Sequence, residues 1–227
     1  MTRIAVEGQA KRTHPAERGT VYLHVAFSGT LRNDVVDQVA RTHRILVEQA
    51  RAHVAAGAAE KWDSASVHSY VYDDRVKSSE TGGKQRVRRF RASARLSVTF
   101  RDFEALSTWL ADIMDVDGVE IDRIAWALTD ETRRMLQAEA RIEAAEETVV
   151  RAQSYADALG LGPVAPVAIY EAGLRGGGNG GGNAPMHAMR AGAMADAGGA
   201  HVELQPRDID VDITLSADYE AGVPAEG

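Results

Sequence analysis

The chain has 227 residues, with 26 Lys and Arg against 33 Asp and Glu, a formal charge of −7 and no cysteine. An apolar fraction of 44% beside 26% charged residues excludes wholesale disorder, and the missing cysteines exclude disulfides, thiol catalysis, zinc ribbons and iron–sulfur clusters together. No stretch approaches the roughly 18 apolar residues of a membrane span, and the opening Met1-Thr-Arg-Ile-Ala-Val-Glu-Gly has no apolar run behind a basic head, so a cytoplasmic location is expected.

Residues 3–11 read as an extended stretch punctuated by Gly8, and Pro15 marks a turn. A strand follows with Val21, Leu23, Val25 and Phe27 on one face, the alternation of a half-buried strand. A helix is expected from about Leu31 to Ala56, because Val35, Val39, Leu46, Ala50 and Val54 recur at helical spacing with His43 on the same stripe. Gly57 stops it. A hairpin comes next, one strand near 61–72 and the other near 86–100, joined by a connection of turn composition. A shorter helix over 102–115 carries Phe103, Leu106, Leu110 and Met114, with Asp102 as its cap. Gly118 leads into a strand over 118–128.

Thr129 opens the longest helix, about 130–160. Its stripe of Met135, Ala138, Ile142, Ala145, Val149, Ala152, Ala156 and Leu159 alternates threes and fours, and its alanine content favours one face laid on a sheet over a free coiled coil. A strand over 164–171 follows. Residues 173–199 differ in kind: ten of the 27 are glycine, which reads as a flexible loop. In the last strand, 207–219, Ile209, Val211, Ile213, Leu215 and Tyr219 face one way, and Asp208, Asp210, Asp212, Thr214 and Ser216 the other. Hairpins mixed with helices predict a single α+β domain, a largely antiparallel sheet packed on one long helix and two shorter ones.

Four places in this order resemble the SIMPL-domain family, bacterial proteins of unknown function that are often periplasmic. They are Ile4-Ala-Val-Glu-Gly8 leading through Pro15 into the Val21–Phe27 strand, and Gly118-Val-Glu-Ile-Asp-Arg-Ile-Ala-Trp-Ala-Leu-Thr-Asp130. The others are the alanine-rich helix ending Ala156-Asp-Ala-Leu-Gly-Leu-Gly162 and the closing strand 208–219. The resemblance implies an α+β fold, large ring-like homo-oligomers and a loose association with envelope or oxidative-stress physiology. It implies no reaction, because the family brings no catalytic motif to carry over.

Three constellations carry possible chemistry. From Lys84 to Arg101 there are seven basic residues and no acid, and Arg89, Arg91, Arg95 and Arg101 share one strand face. Matched against the ladder Asp208, Asp210 and Asp212, this face is expected to pair within the fold or across a subunit boundary. A solvated face ranks next. Nucleic acid ranks last, given the acidic total. The glycine run 176–183 lacks the Gly-Lys-Ser/Thr of a phosphate loop and reads as linker. Met186, His187, Met189, Met194 and His201 offer thioether and imidazole to a soft metal such as Cu(I), but no spacing among them is diagnostic, so no cofactor or metal is assigned. The other histidines are scattered, adjacent acids such as Asp73–Asp74 and Glu146–Glu147 do not face each other, and Gly-x-Ser-x-Gly is absent. The expectation is a non-enzymatic protein whose partner is itself. The alternative is a binding module, for soft metal through the Met/His loop or for anionic polymer through the arginine strand.

Overall fold

The computed structural model describes residues 1–77, 84–174 and 204–222. In chain order they form β1 (Thr2–His14), β2 (Arg18–Gly29), α1 (Arg32–Ala55), β3 (Ala59–Ser64), β4 (His68–Lys77) and β5 (Lys84–Phe100). Then come α2 (Phe103–Met114), β6 (Val119–Ala127), α3 (Asp130–Ala158), β7 (Val164–Glu171) and β8 (Ile209–Ala221). The α+β class and the antiparallel pairing are as expected, with the strands divided between a sheet ordered β1-β8-β7 and a sheet ordered β3-β5-β2-β6, with β4 also paired to β5. The chain packs as two compact units. One comprises Met1–His14, Leu128–Ala197 and Asp208–Gly227, the other Pro15–Ala127 and Gly198–Arg207.

In the first unit α3 lies on one face of β1-β8-β7. Ile4, Val6, Ala10, Val211, Leu215, Ala217 and Tyr219 point at it from alternate positions, as the period of a strand requires. The helix starts at Thr129, whose hydroxyl accepts from the Thr132 N–H at 3.2 Å. Its buried face takes Ala152 and Ala156 from the expected stripe and otherwise differs from it. Leu136, Ala140, Ala144, Thr148, Ala152 and Ala156 are buried at four-residue spacing, whereas Met135, Ile142, Val149 and Leu159 are 51%, 63%, 47% and 67% exposed. Gly8 explains why. A Cβ there would stand 2.1 Å from the Ala144 carbonyl oxygen, so the helix rides on the β1 backbone itself. Beside Gly8 there is room only for the small side chains of Ala144 and Thr148, and Met135, Ile142 and Val149 turn outward.

In the second unit α1 and α2 cover one face of the five-stranded sheet. The α1 stripe Val35, Val39, Leu46 and Ala50 is buried as expected, with Val54 packed beside it against Val21, Leu23, Val25, Leu96 and Val98. Phe100 meets Trp109 of α2 at 5.5 Å and His53 of α1 at 5.2 Å, and the Trp109 indole N–H donates to Gln49 Oε1 at 3.0 Å. Asp102 caps α2 by accepting from the N–H groups of Glu104 and Ala105, both at 3.0 Å. Met114, expected on the buried stripe, is 55% exposed, and Trp109 and Ile113 are buried in its place. The expected strand over 61–72 is two strands. β3 pairs with the second half of β5 and β4 with the first half, because β5 is long enough to serve both. Among the described residues no helix is long and apolar enough to cross a membrane.

Candidate functional site

β2 reaches along β5 only from Phe100 to Phe90, and β3 stops at Leu96. Beyond Phe90, β5 has β4 as its one strand partner among the described residues, so 72–77 and 84–89 form a two-stranded arm. Its register places Tyr72 opposite Arg89, Tyr70 opposite Arg91, Asp73 opposite Arg88 and Arg75 opposite Arg86. Period two puts Tyr70, Tyr72, Arg89 and Arg91 on one face, where the two tyrosine rings are 6.3 Å apart. Arg75, Arg86 and Arg88 lie on the other. Arg89 Nε approaches Asp74 Oδ2 at 3.0 Å. Arg75, Arg86, Arg88, Arg91 and Arg95 make no side-chain hydrogen bond or ion pair among the described residues.

The acidic ladder is elsewhere. Asp210 and Asp212 project from β8, and Asp208 precedes it. The hydrogen-bonded neighbours of β8 are β1 and β7, so no neighbouring-strand pairing joins this ladder to Arg89, Arg91 and Arg95 on β5. Instead Lys11 Nζ sits 2.8 Å from Asp210 Oδ2 and the Thr13 hydroxyl donates to Oδ1 at 2.7 Å. The Lys11 ammonium, with Thr13 second, holds the Asp210 carboxyl below the usual carboxylate range, and Asp210 in turn raises Lys11. Arg3 and Glu220 repeat the pattern at the other end of the same strand pair.

His24 is the histidine with the densest charged surroundings among the described residues. Its Nδ1 lies 2.8 Å from Asp122 Oδ1 and its Nε2 3.2 Å from Glu120 Oε2, and its register partner on β5 is Arg95. An open depression of about 200 Å³ beside it is lined by Tyr22, Asp63, Arg95, Ser97 and Asp122. His43 bonds the Ser64 hydroxyl at 3.0 Å. Neither His24 nor His68 stands opposite Arg89: His68 pairs with Ser93 in register, and His24 faces the carboxylates of β6. The same residues hold no group of three or more His, Asp or Glu side chains placed to bind a metal. The Met186/His187/Met189/Met194/His201 cluster and the glycine run lie outside the described residues.

One charged feature escaped the sequence reading although its signal is plain. From Asp102 to Asp122 there are seven acids and no Lys or Arg, spanning α2, the following turn and the start of β6. Asp112, Asp115 and Asp117 are exposed and make no side-chain hydrogen bond or ion pair among the described residues. Asp112 stands in the last turn of α2 and Asp115 at its C-cap, with no basic residue in that turn. Carbonyl ends already carry partial negative charge, so these acids sit at the unfavourable end of the helix.

A family model, SIMPL, described as a protein of unknown function (DUF541), matches residues 4–219. No curated protein matches the chain.

Proposed function

The chain belongs to the SIMPL family, and on that premise we propose that it is a non-enzymatic assembly protein whose working form is a large, ring-like homo-oligomer. The observation that carries the proposal is the apolar surface left on the outside of the first unit. Ile142, Val149, Val150 and Tyr155 of α3, Leu159 at its C-cap and Ile169 of β7 are each between 47% and 67% exposed. Apolar side chains gathered on two neighbouring elements are characteristic of surfaces that subunits cover. The test is the solution mass of the untagged protein by light scattering behind size exclusion. A particle of many subunits is expected, and one of one or two subunits at micromolar concentration overturns the reading. The proposal includes a cytoplasmic location and a role in oxidative stress. Recovery in an extracytoplasmic fraction overturns the first, and unchanged peroxide sensitivity in a deletion strain overturns the second.

A second reading, binding of an anionic polymer, is favoured by Arg75, Arg86 and Arg88 of the β4–β5 arm, which make no side-chain hydrogen bond or ion pair among the described residues. It predicts association that weakens steeply with salt.

A further inference from the structure

We propose that the β4–β5 arm of one copy docks on the acidic α2–β6 segment of the next copy, through Arg75, Arg86 and Arg88 on the arm and Asp112, Asp115 and Asp117 on the receiving surface. The inference rests on the assembly reading above and names the contact that would build it.

Neither surface finds a side-chain hydrogen bond or ion pair for these six residues among the described residues. Arg75 and Arg86 are directly opposed across the arm, and like charges directly opposite each other destabilise a strand pair. An isolated two-stranded ribbon is marginal in water even without that cost. Among the described residues the arm has β4 and β5 alone over six register pairs, Tyr72↔Arg89 to Lys77↔Lys84, with no further strand paired to either edge there. On the other surface Asp112 and Asp115 crowd the negative end of α2 with no cation in its last turn. β6, which continues that surface, has β2 as its one strand partner among the described residues. Each surface supplies what the other lacks.

Charge complementarity selects a second copy as the occupant. Residues 72–77 and 84–89 contain six Lys and Arg against two Asp, a net +4, which leaves 20 basic against 31 acidic residues, a net −11, on the rest of the chain. A polyanion drawn to the arm would meet the field of that acidic remainder. Another copy's acidic segment is drawn to the arm, and its own arm is drawn onward. Because the arm and the segment are different patches of one chain, the contact is head to tail, which closes into a ring when the rotation permits.

The test uses the full chain and its solution mass. Arg75→Glu/Arg86→Glu/Arg88→Glu and, separately, Asp112→Lys/Asp115→Lys/Asp117→Lys are each expected to weaken subunit association about tenfold or more, one decade corresponding to about 1.4 kcal/mol, and so to lower the mass. The chain carrying all six substitutions is expected to regain the wild-type mass, because the signs are exchanged and not removed. If the wild type is assembled and both triple variants keep its mass, the arm contact is overturned while the assembly reading stands. A monomeric wild type overturns both. A six-fold variant that stays dissociated with an unchanged far-ultraviolet dichroism spectrum overturns the complementarity. Short oligothymidylate serves as a polyanion probe: binding that is lost in the arm variant while the mass is unchanged overturns self-docking in favour of the polymer.

Discussion

At the scale of single residues, the first unit depends on a buried polar pair. Thr148, 1% exposed, has its hydroxyl 2.8 Å from that of Tyr219, also 1% exposed, and donates to the Ala145 carbonyl at 2.7 Å. Replacing it by valine keeps the shape and leaves the tyrosine hydroxyl without this partner, which costs about 1–3 kcal/mol for a buried group. Thermal melts should show a lowered midpoint for Thr148→Val and a near-normal one for Thr148→Ser. Asp210 gives a pH signature. Its folded pKa is lowered by Lys11 and Thr13, so its contribution is present above the carboxyl's unfolded pKa and is lost as pH falls through the lowered value. Lys11, raised by Asp210, contributes below its ordinary value and loses that contribution as pH rises through the raised one. The pair therefore acts across the neutral range, and Asp210→Asn should flatten the acid limb of denaturant midpoint against pH. The effect is small, since both groups are exposed and screened. Charge reversal at Asp210 would set two cations side by side on β1 and β8, so it reports on Lys11 before it reports on any partner subunit.

At the scale of elements, α3 shows how a helix is positioned by its neighbour's backbone. Its alternating threes and fours describe a real apolar stripe, of which Ala152 and Ala156 are buried, yet before them the buried residues run along a neighbouring line at four-residue intervals, where Gly8 brings β1 against Ala144 and Thr148. Gly8→Ala must separate strand and helix, and overpacking of that kind costs about 1–3 kcal/mol. A lowered denaturation midpoint with unchanged helix content would confirm it, and an unaltered midpoint would contradict the close approach. The spacing on α3 was legible in the sequence, but the choice of face was not, since it depends on a glycine far away along the chain. α1 shows the contrary case. Its stripe carries larger residues at unambiguous spacing, and of the expected set Val35, Val39, Leu46 and Ala50 are buried and Val54 and His43 half-buried. Gly118 marks a further point where side-chain size decides. It has φ +78°, and a Cβ there would stand 2.5 Å from the Phe27 ring, so the turn into β6 is closed to other residues on both grounds.

At the scale of the whole molecule, the distribution of charge outweighs its total. A formal −7 reads as mild acidity, yet it is the sum of a strongly basic arm and a strongly acidic remainder. An assembly joined by such exposed patches should loosen with ionic strength, because charges at the surface are screened over about 8–10 Å near physiological salt. One held by the apolar side chains of α3 and β7 should not. Light scattering across a salt series separates the two contributions: dissociation at high salt assigns the larger share to the arm and the acidic segment, and a constant mass assigns it to α3 and β7.

The sequence by itself determined the order of the elements except the break between β3 and β4, together with the caps at Asp102 and Thr129, the buried face of α1, the alternation of β2 and β8 and the family. These depend on local periodicity and on residues whose conformational preferences act over a few positions. The basic run on β5 and the acids on β8 were equally visible, but the sequence could not say which strands they would meet. Tertiary structure decided that β8 lies between β1 and β7, giving Asp210 to Lys11. It also decided that β5 outruns β2, leaving an arm whose arginines face each other, and that α3 presents alanines to β1. Each of these follows from register and from close approach between segments distant in the chain, which no periodicity within one segment specifies.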